Sequence, residues 1–279
     1  MAINPVFQRL QLLVGTSTLD ALRQSRVILF GVGGVGGWCA EALVRSGVGH
    51  ITLVDNEDIC VTNVNRQIQA TTGNVGKSKV AELRRRLVSI HPRVKVEAIE
   101  EIYELANRDR FDLHGYDYVI DAIDSYTHKM ELIEHAWEVG VPLFSSMGAA
   151  SRMDVTRIRT TSFWDARNDP LARILRKGLR RRGFGGDFQV VYSEERPIPP
   201  VENTSVYCGT HTCFCHHEDP DHKDWCSTKL VINGSAVHVT ASFGMALSGL
   251  VLQDIAKRVA ALPAAEPSPS ALESELATA

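Results

Sequence analysis

An apolar run followed by five closely spaced glycines, RVILFGVGGVGG at residues 26–37, constrains the fold of this chain more than any other stretch. Residues 27–30 are all apolar, as in a parallel strand that is buried on both faces. The spacing G-x-G-G-x-G follows, formed by Gly31, Gly33, Gly34 and Gly36. Glycines in such a turn let the backbone approach a phosphate, which free N–H groups and the positive end of the next helix stabilise. The stretch therefore predicts a phosphate-binding turn between a strand and a helix.

The residues that follow complete a βαβ unit. The helix is predicted to begin at Val35 and to end at Gly47, and residues 51–54 form a second apolar strand. Asp55 ends this strand about 20 residues beyond the glycines, where an acidic side chain hydrogen-bonds ribose hydroxyls. This order of elements favours a nucleotide site over a purely structural turn. It leaves NAD, FAD and ATP open.

Composition limits the class of protein. With 279 residues, of which 44% are hydrophobic, the chain can bury one large core or a core with a small appendage. Lys and Arg number 30 against 33 Asp and Glu, so any nucleic-acid site must be a local patch. The sequence has no signal-peptide pattern and no stretch near the ~20 apolar residues of a membrane span. We expect a cytoplasmic protein without a membrane segment.

Two polar segments near predicted strand and helix ends carry candidate binding residues. Residues 56–69, which include Asn63, Arg66 and Gln67, follow the second strand, where ligands bind in open α/β sheets. Residues 76–91 predict an amphipathic helix with two lysines at its start. Lysines there oppose the helix dipole, so they either meet a bound anion or are simply solvated.

Three more strands are predicted at residues 94–99, 118–122 and 141–146. Asp121 and Asp124 fall at the carboxyl end of the middle one of these strands. One interpretation is that Asp124 or Ser125 caps the helix at residues 127–139, and the other is that a carboxylate here binds metal.

The motifs, read together, resemble the adenylating superfamily of ubiquitin-activating enzymes and the molybdopterin- and thiamine-pathway adenylyltransferases. They are GVGGVGG at 31–37, VD ending at 55, NVNRQ at 63–67, GKSK at 76–79 and DAID at 121–124. The resemblance implies ATP with Mg²⁺, transfer of AMP to a substrate oxygen, and release of pyrophosphate. It also implies a role for each candidate: Asp55 holds ribose, Arg66 and Lys79 neutralise the triphosphate, Asn63 and Gln67 orient it, and Asp124 holds Mg²⁺.

An arginine near the N-terminus also matches this superfamily. Residues 5–19 predict a short helix and turn, and Arg9 lies in it. In the superfamily such an arginine commonly reaches the phosphates of the nucleotide that is bound to the partner subunit. The resemblance therefore implies a homodimer with composite active sites.

The second half resembles the tRNA threonylcarbamoyladenosine dehydratases at residues 153–184, 190–200 and 233–244. The match covers most of the chain. It implies a folded tRNA carrying N6-threonylcarbamoyladenosine next to the anticodon as substrate. ATP would adenylate the threonyl carboxylate, and an internal nitrogen or oxygen of the carbamoyl group would then displace AMP and close a ring. Tethering the attacking atom in this way gives a high effective molarity without an enzyme nucleophile.

One helix in this half is strongly basic. Asp169 and Pro170 predict its start. Its remaining turns carry six cationic residues: Arg173, Arg176, Lys177, Arg180, Arg181 and Arg182. A charge run of this kind is usually a solvated face, but with the resemblance it predicts a site for the tRNA backbone.

The segment from Cys208 to Cys226 departs from the superfamily pattern. Its spacing is Cys208-x4-Cys213-x-Cys215-x10-Cys226, without the usual C-x-x-C pairs. Four cysteines and several histidines so close together allow either a structural zinc or a redox-labile loop.

These patterns predict a Rossmann-like, doubly wound, mostly parallel α/β sheet with a smaller C-terminal α+β portion. We expect a nucleotide-binding domain at 1–147, a tRNA-binding and dimerising portion at 148–260, whose last helix spans 241–260, and a disordered tail at 261–279. One alternative is an adenylyltransferase for a ubiquitin-like sulfur-carrier protein, and a sulfur-transfer or cysteine-desulfurase system would then be a partner. The other alternative is a nucleotide-binding scaffold without turnover.

Overall fold

The computed structural model describes residues 5–201 and 233–262, in which seven strands form one sheet. Along the chain they are β1 (Arg26–Phe30), β2 (His50–Val54), β3 (Lys95–Ile99), β4 (Tyr118–Asp121), β5 (Leu143–Ser146), β6 (Ile158–Ser162) and β7 (Gln189–Ser193). Their order across the sheet is β3-β2-β1-β4-β5-β7-β6. All pairs are parallel except β6 with β7, which is antiparallel. The predicted doubly wound α/β fold is confirmed.

Seven α-helices accompany these strands in the described residues. They are α1 (Gln8–Val14), α2 (Thr16–Gln24), α3 (Gly36–Arg45), α4 (Lys79–Ile90), α5 (Tyr126–Val139), α6 (Pro170–Arg181) and α7 (Val237–Ala260). Val27 and Leu29 pack with α3, α4 and α7 on one face of the sheet, whereas Ile28 and Phe30 pack with α5 and α6 on the other. Successive side chains of a strand point to opposite faces, so the four consecutive apolar residues of β1 require helices on both faces.

Residue types near the ends of two predicted helices correctly indicated where those helices end or begin. Gly47, with φ of +90°, directly follows the cap of α3, and the Asp169 side chain accepts from the Ala172 N–H (2.8 Å) at the start of α6. The predicted helix at 76–91 begins later, at Lys79, because Lys77 and Ser78 belong to the extended turn that precedes it.

The sheet continues past the predicted boundary at residue 147. β7 pairs with β5 through Phe144 and Gln189, and β6 extends the same sheet by one antiparallel strand. The C-terminal portion therefore supplies β6, α6, β7 and α7 to the core. Its treatment as a separate domain stays a prediction.

Helix α7 closes one face of the sheet and reaches the glycine loop. A Cβ on Gly244 would lie 2.5 Å from the Val35 carbonyl oxygen and 2.8 Å from the Cys39 nitrogen, so only glycine lets α7 approach α3 so closely. Among the described residues, α7 is the one helix long and apolar enough to cross a membrane. Its buried side chains, such as Phe243 and Leu247, belong to the same core as α3, which accounts for that composition.

Two predictions lie outside the described residues: the zinc site at Cys208, Cys213, Cys215 and Cys226, and the disordered tail beyond residue 262.

Candidate active site at the carboxyl edge of the sheet

The glycine loop is shaped by close backbone contacts. A Cβ on Gly36 would lie only 1.9 Å from the Gly31 carbonyl oxygen. Gly31 has φ of +83°, and a Cβ there would lie 2.7 Å from the Ala122 carbonyl oxygen. Both positions require glycine because a side chain would force the backbone apart. The loop is therefore fixed against the end of β4, which leads to Asp124.

Gly33 differs from these two glycines. A Cβ there would meet nothing closer than the Gln67 Nε2 atom, at 3.7 Å, and its φ is not positive. Packing within the chain therefore does not require a glycine at this position. The open space in front of Gly33 is what a phosphate approaching the backbone N–H groups would need.

Asp55 occupies the predicted place at the end of β2. Its Oδ2 accepts from the Val32 N–H (2.8 Å) and its Oδ1 from the Glu57 N–H (2.9 Å). Burial raises the pKa of Asp55, although the nearby Lys79 ammonium opposes this rise. Each carboxylate oxygen can accept a second hydrogen bond. The side chain is thus fixed in orientation and still able to bind ribose hydroxyls.

Lys79 is buried among carboxylates at the first turn of α4. Its ammonium forms an ion pair with Glu57. Burial alone would lower the pKa of Lys79, but Asp55, Glu57 and Asp124 together outweigh burial and raise it. The lysine is therefore charged at neutral pH, and the four side chains form one charge cluster. Glu57 is a partner that the sequence analysis missed.

Arg66 belongs to the same cluster. It donates to the Thr62 carbonyl oxygen (2.7 Å) and to Asn65 Oδ1 (3.0 Å). Burial lowers the pKa of Arg66, while the Asp124 and Glu57 carboxylates act against that shift. A Cβ on Gly34 would lie 3.3 Å from the Arg66 side chain, so the guanidinium-bearing chain runs along the glycine loop.

The two predicted amides play different parts. Asn63 is buried and its Oδ1 accepts from the Cys60 N–H (3.0 Å), so it closes the turn that carries Arg66. Gln67 is also buried, beside Gly33. Gln69, which the sequence analysis did not single out, donates to the Val32 carbonyl oxygen (2.7 Å) and fixes the glycine loop from below.

Asp121, the last residue of β4, and Asp124, which follows that strand, have separate environments. Asp121 is fully buried in an ion pair with Lys129 of α5, whereas Asp124 is exposed. Ser125 is at the N-cap position of α5 and makes no side-chain cap hydrogen bond, so helix capping does not account for this pair. Asp124 is the carboxylate left accessible to a metal–nucleotide complex.

Arg9 is exposed on α1, just after a residue that packs at the end of α3 away from the glycine loop. The Phe7 ring contacts the His91 ring (centroids 5.1 Å apart), and Phe7 also lies beside Gly47. His91 and Gly47 follow the C-termini of α4 and α3, whereas the glycine loop precedes α3. Phe7, two residues before Arg9, therefore packs at the end of α3 that is away from the glycine loop.

The predicted cations of α6 fall into two groups. An exposed stripe, which we call the basic stripe, consists of Arg173, Lys177, Arg180 and Arg181, and it borders an open groove of about 620 Å³ with Ile174 and Arg176. Arg176 is half-buried and donates to the Phe163 and Ala166 carbonyl oxygens (3.2 and 2.8 Å). Arg182 lies beyond the helix in an ion pair with Glu134 (2.5 Å). These last two differ from the expectation of six equivalent solvent-facing cations.

Within the described residues, no group of three or more His, Cys, Asp or Glu side chains could hold a metal ion. Mg²⁺ needs no such cage when it binds with a nucleotide, because one or two carboxylates and the phosphates suffice. The exposed carboxylate of Asp124 fits that requirement.

Comparison with known proteins agrees with this geometry. A model described as the ThiF family matches residues 7–261. The tRNA threonylcarbamoyladenosine dehydratase of Bacillus subtilis (strain 168) is 42% identical over 203 residues, which are 73% of this chain and 80% of that protein. The enzyme of the same name from Escherichia coli (strain K12) is 37% identical over 240 residues, which are 83% of this chain and 86% of that protein.

The fold matches solved structures as well. The crystal structure of E. coli tRNA N6-threonylcarbamoyladenosine dehydratase, TcdA, in complex with AMP superposes with a TM-score of 0.79 at 30% identity. It covers 94% of this chain and 100% of that one, and the ATP complex gives 0.78 with the same coverage. The resemblance expected from the motifs is confirmed, and the chain belongs to the ThiF family.

Proposed function

We propose that this protein is an ATP-dependent tRNA threonylcarbamoyladenosine dehydratase. The observation that carries the proposal is the joining of two sites in one chain. The open glycine loop lies beside a cluster of Asp55, Lys79, Arg66 and Asp124. Helix α6, which packs against the same sheet, carries the basic stripe. Relatives covered over more than four-fifths of their length bear this name, and TcdA binds ATP in a solved complex.

The first half-reaction is activation of a carboxylate. The substrate carboxylate attacks the α-phosphorus of ATP, and pyrophosphate leaves with the electron pair of the broken bond. Lys79 and Arg66 would neutralise the negative charge that builds up on the phosphates. The Gly33 backbone lets the phosphates approach, and Asp55 fixes the ribose. When bound, Mg²⁺ supplies further charge neutralisation, and Asp124 would hold it.

The second half-reaction is ring closure within the substrate. The carbamoyl nitrogen or oxygen attacks the activated carbonyl carbon, AMP leaves, and one proton is released. The net change is loss of one water from the modified nucleoside. Because the attacking atom is already tethered, the chain needs to supply positioning and exclusion of water, not a nucleophile. The cysteines in the described residues, Cys39 and Cys60, are both buried.

The basic stripe supports tRNA as the substrate. Arg173, Lys177, Arg180 and Arg181 project one above another along about two and a half turns of α6, which suits a run of backbone phosphates. The protein carries a net charge of −3, so this local field does not follow from overall composition. A sulfur-carrier protein, the alternative substrate, would not need it. A tRNA substrate also supports the expected cytoplasmic location.

A homodimer with composite sites is part of the proposal. Helix α1 and the turn before it expose Val6, Leu12 and Leu13, of which the two leucines are more than 80% exposed. An exposed apolar surface of this kind is typical of a subunit contact. Arg9 lies on the same helix, whose start packs at the end of α3 away from the glycine loop, so we expect Arg9 to meet the phosphates bound to a second subunit. A sulfur-transfer or cysteine-desulfurase partner is supported by the superfamily resemblance alone.

Mass spectrometry of tRNA nucleosides tests the proposed function. tRNA that carries N6-threonylcarbamoyladenosine is incubated with the protein, ATP and Mg²⁺, then digested to nucleosides. We expect a product lighter by one water, formed only with ATP and accompanied by equal amounts of pyrophosphate and AMP. Unmodified tRNA is the matched control. An unchanged nucleoside, together with adenylation of a ubiquitin-like carrier protein, would establish the alternative.

A further inference from the structure

A buried ion pair lies directly beneath the loop that carries Asp124. The side chains of Asp121 and Lys129 are both 0% exposed, and Lys129 Nζ lies 2.8 Å from Asp121 Oδ2. Lys129 also donates to the Ile123 carbonyl oxygen (3.0 Å), one residue before Asp124. The lysine therefore joins the end of β4 to the peptide group next to the exposed carboxylate.

Asp121 holds the same segment through hydrogen bonds to both of its carboxylate oxygens. Its Oδ1 accepts from the Ile123 N–H (3.1 Å) and its Oδ2 from Ser145 Oγ (2.6 Å). Ile123 is thus held through both its N–H and its C=O by one ion pair. Neighbouring Ala122 fits against Gly31, where even a Cβ would be 2.7 Å from its carbonyl oxygen. The loop has little room to move relative to the glycine loop.

We propose that Lys129 is a positioning residue for metal–nucleotide binding: it fixes residues 121–124 so that the Asp124 carboxylate faces the triphosphate. The proposal rests on the proposed function and deepens it. A charge removed from water is expensive to bury, and a well-packed apolar pair is often as stable. An ion pair at this position is explained if the loop must hold one conformation while a divalent cation pulls on its carboxylate.

The polar contacts of Lys129 are with Asp121 and Ile123, and α5 lies on the opposite face of the sheet from α4, which carries Lys79. Its effect on nucleotide binding must therefore pass through the backbone of residues 121–124. Removal of Lys129 should leave the glycine loop and Asp55 intact. Affinity for metal-free ATP should consequently change little, whereas the gain in affinity on adding Mg²⁺ should fall.

The test measures equilibrium binding of ATP with Mg²⁺ and with EDTA, and compares the ratio of the two dissociation constants among variants. Groups that orient a metal ligand typically contribute about 10- to 100-fold to metal affinity or activity. We expect the ratio of the dissociation constant in EDTA to that with Mg²⁺ to be about 10- to 100-fold smaller for Lys129→Met than for the wild type. Lys129→Met combined with Asp121→Asn, which buries no unpaired charge, should show the same loss and covers the case in which the single variant does not fold.

A matched control separates positioning from general loss of stability. Glu41→Gln with Arg86→Met removes another buried contact, between α3 and α4, and should lower the melting temperature without changing the Mg²⁺ dependence. An unchanged Mg²⁺ dependence in both the single and the double Lys129 variants would overturn the proposal. Asp124→Asn is measured alongside: if it alone left the Mg²⁺ dependence intact, the metal role of Asp124 would fail as well. Loss in Asp124→Asn without loss in the Lys129 variants would overturn only the role of Lys129.

Discussion

Lys79 and Glu57 form an ion pair at the carboxyl edge of the sheet in which the lysine side chain is 3% exposed and the glutamate 34% exposed. The cation is therefore held inside the protein, while its partner is reachable from solvent. Glu57 occupies a position that a phosphate oxygen of ATP could take, since both are anions. Because Lys79 would otherwise be left as an unpaired buried charge, Glu57 can move away only as a phosphate takes its place.

Lys79 and Asp124 both belong to the charge cluster beside the glycine loop, and removing either should slow the reaction. We expect Lys79→Ala and Asp124→Ala each to lower ATP-dependent pyrophosphate release by about a hundred- to a thousandfold, because one stabilising group of this kind contributes roughly 3 to 4 kcal/mol to the barrier. Pyrophosphate release with tRNA present is the measurement, and circular dichroism checks folding. Lys77→Ala, two residues away and exposed, is the control. Near-normal turnover in either variant would refute its assigned role.

Two glycines of the same loop should respond oppositely to alanine. Gly36→Ala places a Cβ 1.9 Å from the Gly31 carbonyl oxygen, so we expect marked destabilisation or failure to fold. Gly33→Ala meets only an ordinary contact at 3.7 Å, so it should unfold at nearly the wild-type urea concentration and yet bind ATP at least about tenfold more weakly. Urea unfolding and ATP titration provide the two measurements. Normal ATP affinity in Gly33→Ala would show that phosphates do not approach this position.

Mixed dimers test whether Arg9 serves the partner's site. Arg9→Ala and Asp124→Ala should each be inactive alone. If the sites are composite, a mixed dimer has one site with both groups intact, so an equal mixture that has exchanged subunits should regain about a quarter of wild-type activity. Pyrophosphate release after mixing is the readout. If Arg9 acted within its own chain, or not at all, mixing would restore nothing or Arg9→Ala would already be active.

Stability at acid pH should depend on Glu41, which joins α3 to Arg86 of α4 (2.5 Å) and to Arg45 (2.9 Å). Burial acts to raise the pKa of Glu41, but the two guanidinium groups outweigh it and hold the pKa below the ordinary value of 4.5. The unfolded chain therefore takes up this proton at a higher pH than the folded chain. The contribution to stability is complete above about pH 4.5 and is lost as the pH falls through the lowered folded pKa.

We accordingly expect Glu41→Gln to be less stable than wild type near neutral pH, by about 1 to 3 kcal/mol, because it loses charge-assisted hydrogen bonds. The difference should shrink as the pH falls below about 4.5. Urea denaturation over a pH series measures both free energies of unfolding. Curves that stay parallel down to acid pH would contradict the assignment.

The elements recovered from the sequence are those whose signals are local. β1 and the glycines after it are predicted from residues adjacent in the sequence, and Asp169 with Pro170 marks the start of α6 to within two positions. The features that were missed depend on partners distant in the chain. Glu57 approaches Lys79 only once the turn between them has folded, and Lys129 meets Asp121 only because α5 packs beneath β4. Periodicity carries no information on such pairings.

The cations of α6 also show that a sequence pattern does not predict contacts between distant residues. Helical spacing correctly placed most of them on one exposed face, because buried positions such as Leu175 and Leu179 repeat on the other. It could not foresee that Arg176 would turn inward onto carbonyl oxygens or that Arg182 would pair with Glu134 of α5. Those two arginines are therefore poor choices for testing a nucleic-acid surface, since their removal would also disturb packing.

The basic stripe gives the test that separates a tRNA substrate from a carrier protein. Arg173, Lys177 and Arg181 are exposed, so their combined change to Ala should leave the fold and ATP affinity intact, each costing at most about 0.5 kcal/mol. If they contact backbone phosphates, tRNA affinity should fall and the slope of log affinity against log salt should decrease by up to ~0.7 to 0.9 per charge removed. Arg84, Arg93 and Lys95, exposed around edge strand β3 at the other end of the sheet, form a control of equal charge change. Equal salt slopes in the two triple variants would remove α6 from the tRNA surface and favour the carrier protein as substrate.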